Sequence, residues 1–149
     1  MKDDKQIKRI IIKGYSGYCI ADEAFEDRID IDSGSISYEY RPVIESEINP
    51  YRKWSYKTNS PLFKEAFKTI SKMMASYIER DIDYFCTDIG GVEFRISYAD
   101  GTRFIHHYSV PGDEFSDMFS VIKTLVPATE YTPAVLLTSE DFESLEDEE

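Results

Sequence analysis

The chain has 149 residues, 42% of them hydrophobic and 14% aromatic, a size and composition that suit one folded domain and exclude a disordered segment. Its 29 acidic residues against 17 basic ones leave a net charge of −12, which makes nucleic acid and anionic lipid electrostatically unfavourable as direct partners. No apolar run approaches the roughly 18 residues needed to cross a bilayer, and the charged opening Met1-Lys2-Asp3-Asp4-Lys5 lacks a secretory apolar stretch, so the sequence reads as cytoplasmic.

Residues 7–13, Ile-Lys-Arg-Ile-Ile-Ile-Lys, are rich in β-branched side chains and stop at Gly14, which predicts a first strand. From Arg28 to Asp32, Ile29 and Ile31 alternate with charged residues. After Ser33-Gly34-Ser35 a second alternating run, Ile36 to Tyr40, predicts the return arm of a hairpin, closed by Pro42. Asn49-Pro50 marks a turn, and Tyr51 to Thr58, with Trp54 and Tyr56 two apart, predicts another strand.

Asn59-Ser60-Pro61 is the clearest helix start: a Ser hydroxyl can cap free backbone N–H groups, and Pro suits the first helical position. Phe63, Ala66, Phe67, Ile70, Met74, Tyr77 and Ile78 then recur at helical spacing as a core face, while Lys64, Lys68 and Lys72 form a basic stripe. After Gly90-Gly91 the period returns to two, with Val92, Phe94, Ile96 and Tyr98 on one side. Asp100-Gly101 predicts a tight turn into a return strand reaching about Val110. Pro111-Gly112 breaks that strand, Asp113 is the expected cap of a second helix carrying Phe115, Met118, Phe119, Ile122, Leu125 and Val126, and Pro127 ends it. Ala134 to Thr138 fits one more short strand or an extended segment against the core. The fold expected is α+β: an antiparallel sheet of five or six strands built from hairpins, with two amphipathic helices on one face. Residues 1–139 form the domain and 140–149 an acidic tail.

Signatures of chemistry are sparse. His106 and His107 are adjacent on a strand, so they point to opposite faces and do not share a metal ion. Asp88, Glu93 and Arg95 only superficially resemble a metal-nuclease carboxylate set, because Arg replaces the needed Lys and the acids lie too close in sequence. Placing Gly34 at the sixth position of a calcium loop puts Ile29 and Ile31 at the first and third ligand positions, which fails. Gly90-Gly91 lacks the rest of a phosphate loop, and no Gly-x-Ser-x-Gly is present. Cys19 and Cys86 read as buried free thiols. These observations predict no metal, no cofactor and no catalytic residue.

The acids themselves are the remaining signal. Glu26, Asp30 and Asp32 share one side of a strand with Arg28, at a spacing of roughly 6.6–6.8 Å that approaches a phosphate repeat. Glu140, Asp141, Glu143, Glu146 and Asp147 belong to a tail of seven acids and no base. Together they suggest a non-enzymatic acidic binding protein that mimics nucleic acid and inhibits a basic nucleic-acid-binding protein such as a CRISPR or restriction nuclease, by analogy of charge and size alone. The alternative expectation is a small-ligand-binding or scaffold domain using Tyr38, Tyr40, Trp54, Tyr56 and Tyr98. The oligomeric state and the role of the lysine stripe are left open by the sequence.

Overall fold

The computed structural model describes residues 6–15, 24–47, 50–79, 91–108, 115–127 and 136. Its elements in chain order are β1 (Ile7–Tyr15), β2 (Phe25–Asp32), β3 (Ser35–Pro42), β4 (Arg52–Lys57), α1 (Pro61–Glu79), β5 (Gly91–Tyr98), β6 (Arg103–Tyr108) and α2 (Ser116–Lys123). The fold is α+β. Six strands form one sheet in the order β4-β3-β2-β1-β5-β6, with every neighbouring pair antiparallel.

β1 is longer than expected and does not stop at Gly14, which pairs with Asp27 on one side and Val92 on the other. A glycine inside a strand weakens it through backbone entropy and the missing side chain, and pairing on both edges offsets that here. β2 also begins earlier than its Ile alternation announces. Phe25 joins it by stacking on Tyr40, ring centroids 4.9 Å apart.

The two short turns owe their shape to side chains that satisfy local backbone groups. Between β2 and β3, Asp32 Oδ1 accepts hydrogen bonds from the Gly34 N–H (2.9 Å) and the Ser35 hydroxyl (3.0 Å). A Cβ on Gly34 would lie 3.3 Å from the Thr58 carbonyl oxygen, and the Thr58 N–H donates to the Gly34 carbonyl at 2.9 Å, so β4 closes directly over this turn. Between β5 and β6, Gly101 sits at φ +90°, while Asp100 Oδ1 accepts from the N–H and hydroxyl of Thr102.

α1 begins at Pro61, as the sequence predicts. The Leu62 N–H donates to the Ser60 hydroxyl at 3.2 Å, the cap that Ser60 supplies. Phe63, Phe67, Ile70, Met74 and Tyr77 are buried along its length. α2 begins at Ser116 with Phe115 in the N-cap position and no side-chain cap bond; the expected cap, Asp113, lies outside the described residues. It ends at Lys123, before Val126, because the next three N–H groups turn to carbonyls three residues back and tighten the last turn.

Side chains at Ile10, Ile12, Ile29, Ile31, Ile36, Phe94 and Ile96 supply the buried side of the sheet and join the buried residues of both helices in a single core. Phe115 ties the layers together. Its ring lies 5.1 Å from Tyr77 of α1, 4.8 Å from Phe94 of β5 and 5.8 Å from Phe119 of α2. Leu136, from the stretch expected to be a short strand or an extended segment, is fully buried in the same core; the rest of that stretch lies outside the described residues. No described helix is long and apolar enough to cross a membrane.

Candidate binding surfaces

Strand pairing places partners on the same side of a sheet, so the register itself maps the face that turns away from the core. One row across it reads Lys53, Glu39, Arg28, Lys13, Glu93, His107 from β4 to β6. The next reads Ser55, Ser37, Asp30, Ile11, Arg95, Ile105. A third holds Lys57, Ser35 and Asp32, then Arg9, Ser97 and Arg103. With Glu26 opposite Arg41, the described face carries eight basic residues (Arg9, Lys13, Arg28, Arg41, Lys53, Lys57, Arg95, Arg103) and five acidic ones (Glu26, Asp30, Asp32, Glu39, Glu93). A chain of net charge −12 thus shows a face on which bases outnumber acids.

Four of the five carboxylates there, those of Asp30, Asp32, Glu39 and Glu93, are engaged. Asp30 receives a two-pronged hydrogen bond from Arg9, with Nε to Oδ1 at 2.6 Å, and Arg28 approaches it at 3.6 Å. That bond, more than the burial opposing it, raises the Arg9 pKa above its ordinary value. Glu39 accepts a hydrogen bond from the Tyr51 hydroxyl at 2.6 Å and pairs with Arg41 at 3.1 Å; the Tyr51 bond, first, holds the Glu39 carboxyl below its usual range. Glu93 is bound by Arg95 two residues along the same strand. Such exposed pairs contribute little to stability each, about 0–1 kcal/mol, but they order the long side chains into a pattern.

Of the acids expected to face a partner, Glu26, Asp30 and Asp32 do share this face, but not as a row of free carboxylates: Asp30 is held by arginines and Asp32 by its turn. Glu140, Asp141, Glu143, Glu146 and Asp147 lie outside the described residues, as do Cys19, Cys86 and Asp88. His106 and His107 fall on opposite sides of β6, opposite Phe94 and Glu93 respectively. Among the described residues no cluster of three or more His, Cys, Asp or Glu is placed to hold a metal ion.

The five aromatics of the alternative reading do not gather into one pocket. Tyr38 is buried against Trp54, ring centroids 5.8 Å apart, and Tyr40 stacks on Phe25 under the Arg52 guanidinium. Tyr98 stands three strands away on β5. Tyr56 is 45% exposed and joins Leu62, Phe63, Ala66, Leu125 and Val126 around a cleft of about 590 Å³ between β4 and the ends of both helices.

One buried polar contact escaped the sequence reading. Asp27 shares strand parity with Ile29 and Ile31, is only 2% exposed, and accepts a hydrogen bond from the Tyr38 hydroxyl at 2.8 Å. The signal available was its period-two match to those isoleucines; its charge masked it. No protein-family model, curated protein or solved structure matches the chain.

Proposed function

We propose that this chain is a non-enzymatic binding protein that captures a partner protein through the charged outer face of its sheet. The observation that carries the reading is the mixed-charge face itself: eight basic and five acidic residues spread over the outward side of six strands. In this reading the two amphipathic helices occupy the other side of a hairpin-built sheet and leave this side open. Interleaved charge suits selection of a partner with the complementary pattern and rejects uniform polyanions, because each misplaced like charge is costly.

In its sharper form the partner is a basic nucleic-acid-binding protein such as a CRISPR or restriction nuclease. Support for that form comes from the chain's net charge of −12. Glu26 and the C-terminal acids are the residues that would engage it, since Asp30 is already held by Arg9 and Arg28 and Asp32 by its turn. A second reading, a domain that binds a small apolar ligand, is favoured by the cleft around Tyr56, where Leu62 is 82% exposed.

The test is partner capture by the immobilised full chain, at low and high salt, with wild type, Glu26→Lys and Lys13→Glu/Arg28→Glu. Loss of a salt-sensitive partner from the first variant, with DNA competing for the same partner, supports the mimic form. Loss from the second variant supports the mixed-charge face. A partner retained equally by all three sinks both.

A further inference from the structure

The lysine stripe of α1 does not simply face solvent. Lys64, Lys68 and Lys72 line a groove of about 510 Å³ together with Lys8 from the start of β1, and with Phe67 and Ser71 of the same helix. Among the described residues no carboxylate lines this groove. That sets it apart from the sheet face, where the acids on β2, β3 and β5 have arginine neighbours.

Four lysines lining one groove with no carboxylate of the described residues beside them have a cost. Lysines at four-residue spacing repel along a helix, and one acid at the right position would have removed the repulsion. Among the described residues the stripe's one ion pair is Lys68 with Glu65, at 3.7 Å with both side chains about 70% exposed, which is worth little. Lys8, Lys64 and Lys72 have no ion pair among the described residues. The Ser71 hydroxyl is buried and has no hydrogen-bond partner among them either. By helix rise, Lys64 to Lys72 spans about 12 Å, room for more than one anionic group in line. The groove's volume is that of a small-molecule site.

We propose that this groove binds a small molecule bearing two or more phosphate groups, held by Lys8, Lys64, Lys68 and Lys72. Lysine serves phosphate well as a compact point charge on a flexible stem, and anions at this spot meet a positive field although the whole chain is acidic. The site is independent of the partner-binding face: it uses the α1 stripe and one residue at the sheet's end.

The experiment is calorimetric titration of the full chain with inorganic tripolyphosphate, then with ATP and with citrate, in buffer of low ionic strength. Wild type is compared with Lys68→Gln, Lys72→Gln and Lys8→Gln, and with Lys123→Gln on α2 as the off-site control. Circular dichroism establishes that each variant is folded. Expected is saturable one-to-one binding of tripolyphosphate and ATP, weakened roughly tenfold by each groove substitution and unchanged by Lys123→Gln. Absence of saturable binding, or equal weakening by Lys123→Gln, overturns the site. Equal affinity for citrate overturns the assignment to phosphate.

Discussion

Replacing Tyr38 by Phe removes one oxygen from the centre of the molecule and little else. The ring stays 5% exposed against Trp54, so packing is conserved, and what is lost is the 2.8 Å hydrogen bond to Asp27. Asp27 is 2% exposed, so water does not readily replace the donor. A hydrogen bond to a charged group contributes about 1.5–3 kcal/mol, and an acceptor left short of a donor in the interior costs a similar amount. Tyr38→Phe should therefore destabilise the domain by about 1.5–3 kcal/mol, lowering the melting temperature by roughly 3–12 °C at this chain length. Urea denaturation followed by far-UV circular dichroism gives the difference, with an unchanged m-value showing that the folded state is intact. In a double-mutant cycle with Asp27→Asn the two losses should fall short of additive, since they remove parts of one contact. A loss below about 0.5 kcal/mol would refute the argument that this contact is a buried, stabilising one.

Three further perturbations probe other parts of the fold. Ser60→Ala removes the acceptor for the Leu62 N–H and should cost about 1 kcal/mol in urea unfolding, while Ser60→Asp should be nearly neutral. Phe94→Ala, at a fully buried ring 4.8 Å from Phe115, should cost about 3–5 kcal/mol and loosen near-UV signals, because Phe115 touches both helices. At alkaline pH, burial first and Asp100 second raise the Tyr98 pKa, so the folded state keeps a proton that the unfolded chain has released. Stability from this group is complete below about pH 10 and declines as pH rises beyond it; Tyr98→Phe should shallow that decline in denaturant midpoints taken between about pH 9 and 11.

Local signals made much of the fold legible. Ile29/Ile31 and Phe94/Ile96 announce their strands by period two, and Ser60-Pro61 announces α1 to the residue, because a cap and a fixed φ are properties of adjacent residues. The start of α2 was not legible, since Phe115 occupies the cap position for the sake of its ring contacts and not its hydrogen-bonding capacity. Strand order was not legible either: that β1 lies between β2 and β5 depends on pairings more than 80 residues apart, such as Ile12 with Phe94. The same distance hid the binding surfaces. The sequence exposes Asp30 as one acid in a row, but only the pairing of β1 with β2 brings Arg9 to it, and only the packing of α1 brings Lys8 and Lys68 to one groove.

The central place of β1 also sets an order of events on the ribosome. Its pairing with β2 can form as soon as about thirty residues have emerged, and β3 and β4 then add in sequence by short-range closure. Its other edge, the one destined for β5, has to wait until α1 and the segment after it have been synthesised. During that interval an apolar strand with unpaired N–H and C=O groups is available to any other chain. Pulsed hydrogen exchange during refolding should accordingly protect the β2–β3 amides before those of β5, and the tendency of the newborn chain to aggregate should peak before residue 98 emerges and fall once β5 docks.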